Sequence, residues 1–143
     1  METIYLVGVD GSNCSDRAIA YVMERAREND GKVLAAHVIE WSPYAFSSPE
    51  ENERRHQRRE QELALAREEI LAPILDRLSE EGIQGEGLVA HGHVARTLVR
   101  LAKEHEVTCL VLGRKGSSRL AQFFGSVASH VVQITDRPVT VVP

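Results

Sequence analysis

The chain predicts a doubly wound α/β domain, a parallel sheet of five strands with helices on both faces. Three observations predict it. Five apolar runs of strand length recur, most of them continuous rather than alternating, as expected of strands covered on both sides. Segments with apolar residues at helical spacing stand between these runs, giving the order β-α-β-α-β-α-β-α-β that calls for parallel pairing. The 143 residues contain no linker, repeat or low-complexity tract. One domain over residues 1–143 is therefore expected, large enough to bury a core without staples.

The elements follow in order. Residues 4–9 form the first apolar run, and Asp10-Gly11-Ser12 turns the chain. From residue 14 to 29, Ala18, Ile19, Val22 and Ala26 recur at helical spacing, and Asn29-Asp30-Gly31 stops the helix. Residues 33–39 read as the second strand and 41–48 as a loop. Ser48 then stands as a helix cap with Pro49 in the first helical position. The pattern from 49 to 81 has an apolar stripe through Leu63, Ala66, Ile70, Leu71, Ile74 and Leu78, yet residues 50–62 hold no apolar side chain. One straight helix of that length spans about 50 Å, against a radius of gyration of roughly 14–15 Å for such a domain. The segment is expected to give way, with a kink at Pro73 and a charged front half that projects, frays or lies in a loop. Residues 86–90 form the third strand, and 94–104 a helix carrying Ala95, Leu98, Val99 and Ala102 on one side. Residues 107–112 are the fourth strand. In the last helix Val127, Val131 and Ile134 face one way, and Asp136-Arg137-Pro138 ends it before the fifth strand at 139–142.

Composition excludes several classes of function. A net charge of −4 disfavours nucleic acid, whose phosphates select basic surfaces. No apolar run approaches the roughly 20 residues that span a bilayer, so no membrane partner is expected. The first residues enter a strand directly, without a basic start and a long apolar region. Cys14 and Cys109 lack metal-finger spacing, and reduced thiols in the cytoplasm are expected.

In sheets of this kind ligands bind beyond the carboxyl ends of the strands, where the strand order reverses. Two strand ends are rich in polar and glycine residues: Gly8-Val9-Asp10-Gly11-Ser12, and Leu112-Gly113-Arg114-Lys115-Gly116 with Gly125-Ser126 further on. Two glycines three apart, two cations and a Gly-Ser at a helix start suit a backbone that approaches phosphate. Asp10 then suits ribose hydroxyls; a plain turn with a helix cap explains the same three residues equally well. Neither a Walker loop nor a dinucleotide fingerprint is present.

The whole chain, from Val9-Asp10-Gly11-Ser12 through His37-Val38 to the Gly113 loop and Pro138-Val139-Thr140-Val141-Val142, resembles the universal stress protein family. Its ATP-binding members carry G-x-x-G, nine residues, then G-[ST]. Gly113, Gly116, Gly125 and Ser126 match that pattern with eight intervening residues, one fewer. The resemblance implies a Rossmann-like, adenine nucleotide alpha hydrolase-like fold with sheet order 3-2-1-4-5. It implies a cytoplasmic homodimer paired through the last strand (Val139–Val142), and ATP with Mg²⁺ or Mn²⁺ carried on its phosphates. It also implies roles. Asp10 holds the ribose with Val9 beside the base, and Val38 meets adenine through its backbone. Leu112 and Gly113 approach the ribose or phosphates, Gly116 and Gly125 belong to the phosphate loop, and Ser126 and Val127 offer N–H groups. Thr108 stands where relatives often have Asp and is expected to matter little.

Other features have plainer readings beside the sharp ones. Arg114 and Lys115 suit phosphate, or are solvent-facing loop charges. His91-Gly92-His93 suits a surface or capping role better than a metal pair. Cys14 reads as a small helix residue rather than a redox sensor, and Cys109 as core. The 50–62 segment interleaves arginines with glutamates and reads as a solvated arm, with a lid or a surface for an unknown protein partner as the alternative. No catalytic constellation stands out, so binding is expected, with slow ATP hydrolysis at most. Three functions follow: a nucleotide-dependent stress-response regulator, a nucleotide-free dimeric interaction module recruiting a partner through 50–62, and, more weakly, a slow ATPase.

Overall fold

The computed structural model describes residues 2–11, 13–40, 48–114 and 126–143. Strands β1 (Ile4–Gly8), β2 (Lys32–Glu40), β3 (Gly85–Gly92), β4 (Cys109–Gly113) and β5 (Val139–Val142) form one parallel sheet in the order β3-β2-β1-β4-β5. β1 lies at the centre, with Leu6 level with Leu34 on one side and Leu110 on the other. The chain winds outward from β1 through β2 to β3, then returns to place β4 on the opposite flank. The strand order reverses between β1 and β4, and their carboxyl ends open a crevice there.

Alternate residues supply the two faces of the sheet. Val7, Ala35 and Val111 pack with Ile19 and Val22 of α1 (Asn13–Asn29) and with Ile74 of α3 (Ala72–Glu80). Leu6, Ala36 and Leu110 pack with Leu98 of α4 (Val94–Glu104) and Val131 of α5 (Ser126–Ile134). Neighbouring residues Leu6 and Val7 are both fully buried, which explains why this strand shows no alternation in its sequence.

The 49–81 segment is a helix interrupted by a wider turn beside Pro73. Ser48 caps α2 (Pro49–Ala66), its Oγ accepting the Glu51 N–H at 3.2 Å. The charged front half is a regular, largely exposed helix rather than a frayed end or loop, because it is capped and built of strong helix formers. A π turn, Arg67–Leu71, joins it to α3, and the Ala72 N–H donates to the carbonyl of Arg67. Pro73 follows immediately; it brings no N–H and its ring crowds the carbonyl four residues back, so the wider turn absorbs the conflict. Leu71, 1% exposed, anchors the turn in the core.

Three expectations need correction. The fourth strand begins at Cys109 rather than 107, because the Val107 N–H closes the end of α4 on the carbonyl of Ala102 at 3.0 Å. Ile134 is 42% exposed instead of sharing the buried face of Val131. It is the last helical residue, about 60° round from Val131, and the chain turns away behind it. Cys109 is half-buried rather than core, its Sγ near the carbonyl of Leu110 at 3.3 Å and Thr140 Oγ1 at 3.5 Å. Thr108 has a structural role: its N–H donates to the carbonyl of Ile4 at 2.7 Å, and its Oγ1 accepts the Ile4 N–H at 3.0 Å.

Candidate functional site

The crevice holds a cavity of about 530 Å³, within the range of roughly 300–1,000 Å³ usual for small-molecule sites. The exit of β1 forms its first wall. The Val9 N–H donates to the carbonyl of Ala36 at 2.9 Å, and the carbonyl of Val9 accepts from His37 Nδ1 at 2.7 Å. A carbonyl only accepts, so the proton of a neutral His37 sits on Nδ1. Asp10 is fixed next. Its N–H donates to Ser15 Oγ at 2.9 Å, and the Ser15 hydroxyl donates to Asp10 Oδ1 at 2.6 Å. Ser15 itself is 5% exposed, so this reciprocal clamp sits away from bulk water.

Close backbone approach shapes the floor. A Cβ on Gly8 would stand 2.8 Å from Cδ2 of Leu112 and 3.3 Å from Cδ1 of Leu98. The opposite wall comes from the end of β4 and the start of α5. Leu112, Gly113 and Arg114 line it, and the Arg114 N–H donates to the carbonyl of Val142 at 2.7 Å, tying this exit to the edge strand. Ser126 and Val127, the first residues of α5, stand beside them.

The structure therefore brings Val9, Asp10 and Val38 to one side of a single cavity, and Leu112, Gly113, Arg114, Ser126 and Val127 to the other. Lys115, Gly116 and Gly125 lie outside the described residues. Sequence reasoning missed the other polar residues of the wall: Ser15, Glu40, His93 and His130, and the role of His37. Ser15 carried a signal, a hydroxyl in the first turn of the helix after Asp10. His130 carried one as well, standing one helical turn after Ser126.

His93 is the N-cap of α4, its Nδ1 accepting the Arg96 N–H at 3.4 Å, as the capping reading expected. Gly92 before it has φ 149°, and a Cβ there would meet Thr97 Oγ1 at 2.7 Å. His91 turns elsewhere and pairs with Glu62 of α2 at 3.3 Å, linking the charged arm to β3. His93 and His130 meet edge to face, ring centroids 5.0 Å apart. The carboxylates of the wall, Asp10 and Glu40, belong to the β1 and β2 exits. Arg114 follows β4, and of the three imidazoles in the wall His37 belongs to β2, His93 caps α4 and His130 lies in α5.

Comparison with known proteins gives a consistent result. Residues 3–143 match the model of the Universal stress protein family. The chain is 30% identical over 147 residues to the universal stress protein YxiE of Bacillus subtilis (strain 168), covering 96% of each chain. The solved structure of the universal stress protein UspA from Lactobacillus plantarum matches with a TM-score of 0.82 at 23% identity, over 99% of this chain and 97% of that one. A universal stress protein solved in complex with cAMP matches with a TM-score of 0.68 at 26% identity, over 99% of this chain and 96% of that one.

Proposed function

The chain belongs to the universal stress protein family, and on that premise we propose that it is a nucleotide-dependent regulator that binds an adenine nucleotide in the β1/β4 crevice. The observation that carries this reading is the two-sided cavity at the point where the strand order reverses. Carboxylate and backbone groups on the β1 and β2 side suit ribose hydroxyls and a base, and cationic and N–H groups on the other side suit phosphates. The cAMP complex of a relative supports the same ligand class.

In this reading Asp10, held by Ser15, receives the ribose hydroxyls beside Val9. The backbone at Val38 meets adenine. Leu112 and Gly113 face the ribose and first phosphate, and Arg114 with the N–H groups of Ser126 and Val127 faces the phosphates. Gly116, Gly125 and Lys115 complete the phosphate loop. ATP is the proposed nucleotide, with Mg²⁺ or Mn²⁺ carried on its phosphates rather than by a dedicated protein cage. Regulation follows if the nucleotide prefers one conformation of the loop, since only differential affinity shifts a population.

The proposed assembly is a homodimer paired through β5. That strand is half-buried along its whole length at the edge of the sheet, and an open edge is a template for pairing with another chain. Purified protein titrated with a fluorescent ATP analogue and Mg²⁺ tests the function directly. Saturable binding below millimolar concentration is expected, and its absence would reject the reading. A second reading, a nucleotide-free module that recruits a partner through 50–62, is favoured by one observation: α2 stands out as an exposed helix with Leu65 51% exposed. It predicts that ATP leaves the dimer unchanged and that deleting 50–62 abolishes partner capture.

A further inference from the structure

The geometry points to His93 and His130 as a phosphate-reading pair in the nucleotide site, a role separate from the glycine loop. This inference rests on the nucleotide reading above and deepens it. Two imidazoles from different helices meet in the wall of the same cavity, centroids 5.0 Å apart. Both line the cavity with Arg114, and Glu40 is level with Gly92, the residue before His93.

The hydrogen bonding of His93 sets what it offers. Its Nδ1 accepts the Arg96 N–H, so the neutral ring carries its proton on Nε2. That N–H donates to an anionic oxygen and offers nothing to a hydroxyl seeking an acceptor. His130 lies four residues after Ser126 and three after Val127, one turn further along the side of α5 that lines the cavity. Its ring meets that of His93 edge to face. A phosphate placed at the start of α5 lies one helical turn from His130, whose ring meets His93, and each N–H donated to it is a charge-assisted bond. A ligand without phosphate offers the pair only neutral acceptors, which form weaker bonds.

The experiment compares ATP, AMP and adenosine on the wild-type protein and on a His93→Asn/His130→Ala double variant. Asparagine keeps an acceptor for the α4 cap, so the helix start is preserved. Thermal unfolding of both proteins without ligand checks that the fold is unchanged, and His130→Gln alone serves as a second variant if the double one unfolds. The expected result is about tenfold weaker binding of ATP and AMP, with adenosine affinity held within roughly twofold. Equal weakening of all three ligands, or no weakening of the phosphorylated ones, would overturn the pair's role while leaving nucleotide binding intact. Failure of the wild type to bind any of the three would reject the nucleotide reading itself and the pair's role with it.

Discussion

Two hydroxyls show how residues of one chemical type divide between site and scaffold. Ser15 holds Asp10 from both ends, through its own hydroxyl proton and through the Asp10 N–H. Thr108 does similar work for β1, bonding both backbone groups of Ile4. Ser15→Ala should weaken ATP analogue binding in the fluorescence titration by about tenfold, with stability lowered by about 1 kcal/mol. Thr108→Val should cost about 1–2 kcal/mol in urea unfolding and leave nucleotide affinity unchanged. A Thr108 variant that lost affinity with its fold intact would contradict the separation drawn between them. Gly92→Ala belongs beside these: at φ 149°, with Thr97 Oγ1 2.7 Å from the added carbon, it should strain the start of α4 and lower the melting temperature. Asp10 and Gly113 were legible in the sequence because strand ends rich in polar and glycine residues mark crevices. The pairing of His93 with His130 was not, because they are 37 positions apart and nothing local announces that their rings touch.

The helices and strands were read from periodicity, and their limits from hydrogen bonding that periodicity does not carry. Val107 belongs by composition to an apolar strand, yet its N–H completes the end of α4 after Glu106 takes φ 50°. The arm is the clearest case. Residues 50–62 lack an apolar face, so a helix over them has no packing to announce it; the Ser48 cap and strong helix formers suffice locally. Contact with the sheet begins near its end, where Glu62 meets His91 and Ala66 is buried. Ser48→Ala should therefore speed amide exchange over the first turns of α2 while the global unfolding midpoint moves little. Hydrogen exchange read by mass spectrometry distinguishes that local loosening from a global one.

The whole molecule is a two-faced core around β1. Leu6→Ala, at a residue with no exposed surface, should cost about 3–5 kcal/mol. Because Leu6 and Val7 bury into opposite faces, the Leu6→Ala and Val7→Ala losses should not simply share one cavity. Light scattering on the purified protein should give twice the mass of the chain if β5 pairs across a two-fold axis, and a monomer would remove that proposal. Here the sequence by itself determined the order and type of the elements, the position of the crevice, and the presence of Asp10 and Gly113 in its wall. Continuous or helical patterns of apolar residues are short-range properties, and each strand or helix expresses them wherever it packs. Only the tertiary structure decided which side chains from distant elements share the wall. The His93–His130 contact depends on how α4 and α5 dock on one face of the sheet. That docking is the sum of many contacts such as Leu98 and Val131 against Leu6 and Leu110, and no short stretch of chain encodes it.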